Sequence, residues 1–272
     1  MTVRGLLDWA ARTLESDTPR LDAEVLLGHV LGRDRGWLFT WGDRPVGDPE
    51  VQAFHAAVAR RMKREPVAYI TGRREFHEVM LRVTPDVLIP RPETELLVEV
   101  ALKRKPTTVL DLCTGSGAVA VAVARALRNC RVTATDISPA ALEVARQNAV
   151  ANDVADRVSL RHGDLWEAVK GRFDLILANP PYVSEKEHEA LMVNVRDYEP
   201  RLALVAEEEG LAVIGRIAEG AGAHLEPSGA LAVEIGANQG AVVRDLLERL
   251  GYRKVHGHSD LAGHPRVIEG EI

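Results

Sequence analysis

The stretch Thr107-Thr108-Val109-Leu110-Asp111-Leu112-Cys113-Thr114-Gly115-Ser116-Gly117 decides the fold. A short apolar run up to Cys113 reads as a buried strand, the glycine-rich turn follows at once, and Ala118 to Leu127 continues at helical spacing. Outward from this unit the alternation repeats. Arg131 to Asp136 reads as a strand, and Pro139 to Ala151 as a helix with Ser138 at its N-cap and Pro139 at its first position. Val158 to Arg161, Phe173 to Ala178 and Ala230 to Ile235 read as further strands, with a helix from Gln239 to Leu250 after the last. Lys254 to Gly257 and Arg266 to Gly270 then follow as two strands with no helix between them. The expected architecture is α/β and Rossmann-like, a mainly parallel seven-stranded sheet with helices on both faces and an antiparallel C-terminal strand pair.

In such sheets ligands bind outside the carboxyl ends of the strands, and the candidate chemistry gathers there. Gly115 and Gly117 let the backbone turn tightly and let a ligand approach it, making Cys113, Thr114 and Ser116 neighbours of that ligand. Asp136 closes the next strand, 19 residues after Gly117, where an acid can accept both hydroxyls of a ribose; Ile137 stands beside it. Gly115-Ser116-Gly117-Ala118-Val119-Ala120 fits the G-x-G-x-x-A fingerprint of a nicotinamide dinucleotide, so an oxidoreductase is one reading. Two features favour S-adenosylmethionine instead: the acid Asp111 at the start of the loop, and an amide at the end of the fourth strand. Asp111 suits the methionine ammonium, directly or through the loop; capping the adjacent turn is its plain alternative. After the third strand, Gly163-Asp164-Leu165-Trp166 offers a carboxylate for the adenine amino group and an apolar cover for the ring. Either Leu165 or Trp166 can supply that cover, a tryptophan there being more often core.

The amide is Asn179, in Asn179-Pro180-Pro181-Tyr182, directly after Phe173 to Ala178. Two prolines cannot donate to a sheet ladder, so the tetrapeptide reads as a rigid turn at a strand end. By itself it is also compatible with an ordinary Asn-Pro turn.

The segment before the sheet has a different texture. Leu6, Leu7, Ala10, Ala11 and Leu14 mark one helix, Ala23 to Leu31 a second ending at Gly32, and Pro49 to Arg64 a third, with a loop from Asp34 to Asp48. Phe76 to Val83 and Val87 to Ile89 read as a hairpin around Thr84-Pro85-Asp86. Through residue 80 the chain carries 12 Lys+Arg and 12 Asp+Glu, so the net charge of −6 lies in the remainder. A neutral helical module suits a protein partner or a structural cap. The negative charge and the 4% aromatic content argue against a general nucleic-acid binder. Two cysteines without metal-ligand spacing indicate a reduced cytosolic setting without structural zinc. No secretory or membrane-spanning run is read in the sequence, and a cytoplasmic location is expected.

Ile89-Pro90-Arg91-Pro92-Glu93-Thr94-Glu95, Asp111 to Gly117, Asp136 and Asn179-Pro180-Pro181-Tyr182-Val183 together resemble the HemK/PrmC family, the N5-glutamine methyltransferases of peptide chain release factors. Tyr198-Glu199-Pro200-Arg201-Leu202-Ala203-Leu204 and Glu209-Gly210-Leu211 extend the likeness over nearly the full length. The departures are Cys113, where the family often has glycine, and acids in place of glycine just after Ala206. The resemblance implies a class I S-adenosylmethionine-dependent methyltransferase domain over 93–272, a β-hairpin linker over 75–92 and a helical release-factor-binding domain over 1–74. It implies methylation of the glutamine in the GGQ motif of class I release factors, with S-adenosylhomocysteine as product. The Asn179 side-chain oxygen and the Pro180 carbonyl would accept the two N–H bonds of the glutamine amide. Tyr182 would pack on that amide, Pro181 would keep the turn rigid, and Val183 and Arg91 would line the entrance. The same tetrapeptide suits an N6-adenine nucleic-acid methyltransferase, the competing reading.

Overall fold

Val109, Leu110 and Leu112 are apolar because both faces of their strand are covered. Val109 joins a core made with Leu97 and Val121, whereas Leu110 and Leu112 join one made with Ile217 and Leu247. The computed structural model describes residues 1–272, and contacts divide the chain into two units, Met1–Arg73 with Met192–Tyr198, and Arg74–Leu191 with Glu199–Ile272. None of its helices is long and apolar enough to cross a membrane.

The first unit is helical: α1 (Val3–Thr13), α2 (Pro19–Leu31), α3 (Arg35–Thr40), α4 (Asp48–Met62) and α5 (Val67–Thr71). Its core holds Leu6, Leu26, Leu27, Leu38, Phe54 and Val58, all buried. Gly32 ends α2 in the left-handed region at φ 61°, the role expected of it. The stretch from Asp34 to Asp48 is not all loop as expected. Asp34 caps α3 by accepting from the Trp37 N–H at 2.7 Å, and Leu38 anchors the helix in the core.

The hairpin is displaced from its expected position. Its strands are β1 (Arg73–Phe76) and β2 (Val79–Arg82), turning at His77-Glu78, where His77 takes φ 48°. Thr84-Pro85-Asp86 does turn, with the Val87 N–H donating to the Thr84 carbonyl at 3.1 Å, but Val87 to Ile89 forms no strand. Val87 and Ile89 are buried, and the Ile89 N–H is satisfied by Glu199 Oε2 at 3.0 Å instead of a ladder partner. Apolar burial without a neighbouring strand produced the strand-like pattern.

The sheet domain continues with α6 (Glu95–Arg104), β3 (Thr108–Leu112), α7 (Ala118–Ala126), β4 (Arg131–Asp136), α8 (Pro139–Ala151), β5 (Val158–His162) and β6 (Phe173–Ala178). Short turns α9 (Glu185–Ala190), α10 (Val193–Arg196, grouped with the first unit) and α11 (Glu207–Gly210) lead to α12 (Ala212–His224). The chain closes with β7 (Leu225–Glu234), α13 (Gly240–Arg249), β8 (Arg253–Ser259) and β9 (Pro265–Glu271). The strand order is β5-β4-β3-β6-β7-β9-β8; β3 to β7 pair in parallel, and β9 is antiparallel to both β7 and β8. This is the expected seven-stranded α/β architecture. The order reverses at β3, which pairs with β4 on one side and β6 on the other. Leu112 is opposite Thr135 and Ala178, so three strands end at one edge.

One buried polar residue ties this edge to the hairpin. Asn148 of α8 is fully buried; its Oδ1 accepts from the Arg82 N–H at 2.7 Å, and its Nδ2 donates to the Arg82 carbonyl at 3.0 Å and the Ser116 carbonyl at 2.8 Å. Asn148→Ala leaves these groups unpaired and is expected to lower unfolding stability by about 2–3 kcal/mol, read as a lower urea midpoint at unchanged m value.

Candidate active site

A cleft of about 290 Å³ opens at that edge. Its floor is the turn after β3. Asp111 is 2% exposed; its Oδ2 accepts from Thr114 Oγ1 at 2.5 Å, and the Ala120 N–H also reaches the carboxylate. Burial outweighs these bonds and pushes the Asp111 carboxyl up to about 7. The two glycines serve different needs. Gly115, at φ 55°, has open space where a Cβ would be, whereas at Gly117, at φ 77°, a Cβ would come within 3.0 Å of the Ala145 Cβ.

Asp136 holds the loop from the side. Its Oδ2 accepts from the Gly115 N–H at 2.8 Å and its Oδ1 from the Ser138 N–H at 2.9 Å. Burial raises its pKa, with these backbone bonds opposing. Ile137 lines the cleft beside it. After β5, Asp164 also lines the cleft and pairs with Arg216 at 2.6 Å. Leu165 is the apolar wall there. Trp166 turns away, its indole N–H donating to the Arg216 carbonyl at 3.0 Å and its ring stacked on His224 at 4.9 Å. Of the expected cofactor-side residues, Asp111, Cys113, Thr114, Gly115, Ser116, Asp136, Ile137, Asp164, Leu165 and Asn179 line the cleft, and Gly117, packed on Ala145, does not.

The residues expected on the substrate side divide. Asn179 and Pro181 line the cleft; Pro180, Tyr182, Val183 and Arg91 do not. Asn179 Nδ2 donates to Thr94 Oγ1 at 3.1 Å. Tyr182 Oη donates to Glu234 Oε1 at 3.2 Å, and its carbonyl accepts from Gln239 Nε2 at 3.1 Å. Val183 is held through its backbone, its N–H donating to the Leu204 carbonyl at 2.9 Å and its carbonyl accepting from the Ala206 N–H at 3.0 Å. Arg91 is engaged with Glu199 at 2.5 Å.

Thr94, Arg216 and Glu234 escape sequence reasoning. Thr94 sits in a proline-flanked stretch with no pattern of its own. Arg216 is one cation on an ordinary helix. Glu234 alone carried a signal, an acid inside the apolar run from Ala230 to Ile235. It is 1% exposed and its Oε2 lacks a hydrogen-bond partner. Burial pushes it up to about 7, partly offset by the hydroxyls of Thr94 and Tyr182.

Comparison with known proteins places this geometry. A family model described as the PrmC N-terminal domain matches residues 5–72, and one described as the methyltransferase small domain matches residues 92–196. The release factor glutamine methyltransferase of Bordetella pertussis is 46% identical over 260 residues, 93% of this chain and 95% of the relative. The enzyme of that name from Vibrio cholerae is 40% identical over 284 residues, 100% of this chain and 97% of the relative.

The chain belongs to the release factor glutamine methyltransferase family.

For this family member, solved structures add the fold alone. A methyltransferase from Pyrococcus furiosus superposes with a TM-score of 0.54 at 22% identity, covering 70% of this chain and 87% of that one. The hMettl16 catalytic domain in complex with the MAT2A 3'UTR hairpin 6 superposes with a TM-score of 0.59 at 15% identity, covering 82% and 81%.

The two buried acids set a pH dependence of stability. Glu234 and Asp111 ordinarily titrate at 4.5 and 3.8 and are raised to about 7 in the fold. Between those values the folded chain holds protons that the unfolded chain has released, so their contribution makes stability fall as pH rises through that window. Glu234→Gln is expected to flatten the fall and to be more stable than the parent at pH 8 by about 2 kcal/mol, measured by urea unfolding across pH 4.5 to 8.

Proposed function

We propose that the chain transfers a methyl group from S-adenosylmethionine to the side-chain amide nitrogen of the glutamine in the GGQ motif of class I peptide chain release factors, leaving S-adenosylhomocysteine. The observation that carries this reading is the orientation of Asn179, whose Nδ2 is committed to Thr94. With the amide nitrogen held there, Asn179 Oδ1 is left as an acceptor at the cleft. The Thr94 hydroxyl proton is drawn toward the buried Glu234 carboxyl, so the hydroxyl oxygen is left to accept from Asn179.

The cleft suits the cofactor on its own terms. Asp111 would take the methionine ammonium, Asp136 the ribose hydroxyls and Asp164 the adenine amino group, with Leu165 and Ile137 against the ring; that all five line one cleft supports this. Bound there, the sulfonium supplies an electrophilic methyl group. The remaining task is to make an amide nitrogen attack it. That nitrogen is a poor nucleophile because its lone pair is delocalised into the carbonyl. Asn179 Oδ1 would accept one of its N–H bonds at the cleft, and the Pro180 carbonyl, between the cleft-lining Asn179 and Pro181, would accept the other once substrate is seated, fixing the lone pair in line with the methyl and stabilising the charge that develops. No general base is needed in that step, since the proton can leave afterwards. Tyr182, anchored by Glu234 and Gln239, would act by fixing the shape of the turn, with Pro181 as the cleft-facing surface. Arg91, paired with Glu199, and Val183, paired with the chain before Ala206, fit the same supporting role at the entrance.

The helical unit would supply the docking surface for the release factor. On it Phe39 is 91% and Trp41 51% exposed, side chains that normally seek an apolar partner. A release-factor substrate would place the reaction in the cytoplasm. The reading over 1–74, 75–92 and 93–272 then assigns docking, linkage and chemistry.

Incubation with labelled S-adenosylmethionine and a class I release factor is expected to label the GGQ glutamine; label on adenine-containing nucleic acid and none on the release factor would overturn the assignment. Asn179→Ala should lower kcat on the order of 10²- to 10³-fold with cofactor affinity retained. Thr94→Val, which frees the Asn179 amide to turn, should lower kcat on the order of 10²-fold while the release-factor KM stays near its parent value. Phe39→Ser is expected to show the opposite split, a raised release-factor KM at unchanged kcat.

A further inference from the structure

We propose that His256, His258 and Glu269 form a binding site for one zinc ion on the C-terminal strand pair. None of the three lines the cleft. His256 and His258 are two apart on β8 and so project from the same face, and Glu269 of β9 is the cross-strand partner of His256. Their ligand atoms lie within 4.8 Å of one another. Two imidazole nitrogens with one carboxylate oxygen is a donor set that zinc accepts, whereas magnesium and calcium prefer oxygen alone.

The hydrogen bond of His256 to the backbone orients its ring for a cation as well. His256 Nδ1 lies 2.7 Å from the Lys254 carbonyl oxygen. A carbonyl can only accept, so Nδ1 carries the hydrogen, and in the neutral ring Nε2 is left as a lone pair. That lone pair is 3.3 Å from Glu269 Oε2, itself an acceptor. Two acceptors facing each other repel unless a cation stands between them. A backbone carbonyl holding Nδ1–H while Nε2 faces outward is also how metal-ligating histidines are commonly oriented. His258 Nε2 donates to the same carboxylate oxygen at 2.6 Å, and zinc would displace that proton and draw the two atoms apart to ligand spacing.

The surrounding charges leave that point available. Arg104 engages the other oxygen of Glu269, Oε1, and donates to Glu271 Oε1 at 2.8 Å, while Lys254 pairs with Glu271 Oε2 at 2.7 Å. Two cations are thus matched by two carboxylates, and Glu269 Oε2 faces only imidazoles. Glu269 is 4% exposed, which fixes one ligand rigidly, and the His256 side chain is 49% exposed, which gives an ion a path in and leaves room for water as a fourth ligand. Because β8 is an edge strand of the sheet, an ion here would clip it to β9.

The test is titration of the metal-free full chain with zinc alone. One equivalent is expected to bind, to raise the unfolding temperature, and to give a tetrahedral visible spectrum when cobalt replaces it. His256→Ala and His258→Ala should each weaken binding by more than about tenfold and remove the thermal shift. His256→Ala, at an exposed position outside the cleft, should retain methyl transfer, which separates loss of the site from loss of the fold. Absence of uptake by the parent chain, or equal uptake by parent and both variants, would overturn the proposal. So would nitrogen NMR showing a proton on His256 Nε2 that added zinc does not displace, since a proton would then be the cation between the two acceptors.

Discussion

The parallel pairing of β3 with β4 on one side and β6 on the other is the constraint from which the site follows. It buries both faces of β3, which is why the strand is apolar at every position but Asp111 after its first residue. It also ends the three strands at a common edge, so residues far apart in sequence, Asp111, Asp136 and Asn179, arrive at one cleft without any contact that recruits them individually. Chain reversal at β3 opens the crevice, and the glycine turn fills its floor. The position of the chemistry is therefore a property of strand order more than of the residues that perform it.

Strand order was legible because periodicity and punctuation agree along the sheet. Arg131–Asp136, Pro139–Ala151 and Phe173–Ala178 have the expected bounds, each ended by turn or cap chemistry that no tertiary contact overrides. Agreement fails where burial comes without regular pairing. Val87 and Ile89 are apolar because they are covered, yet a glutamate side chain takes the place of a neighbouring strand. Likewise α3 is too short for periodicity to register, and only its aspartate cap and Leu38 hold it. The helix α12, absent from the expected series, is small-residue-rich and reads weakly, but its Ile214, Ile217 and Ala221 close one core of the sheet.

At the site, the residues that face the cleft were more legible than those behind them. Glycines at a strand end and an acid closing the next strand have a sequence spacing set by the strand–turn–helix unit. Thr94, Arg216 and Asn148 have none, because each acts through a contact made by folding: Thr94 on Asn179, Arg216 on Asp164, Asn148 on Ser116. The direction of Trp166 is of the same kind. Its indole packs on α12, and Gly220 permits this, since a Cβ there would come within 2.1 Å of the indole nitrogen.

Several non-glycine residues around this edge hold the left-handed conformation. Cys113 has φ 58°, Leu165 φ 46°, Glu208 φ 53° and Glu209 φ 56°. Each costs on the order of 1 kcal/mol against ordinary backbone. The sheet and its two cores overcome that cost when the chain folds. The walls of the cleft are thereby shaped in advance, and a molecule entering it meets a surface whose conformational entropy has already been surrendered.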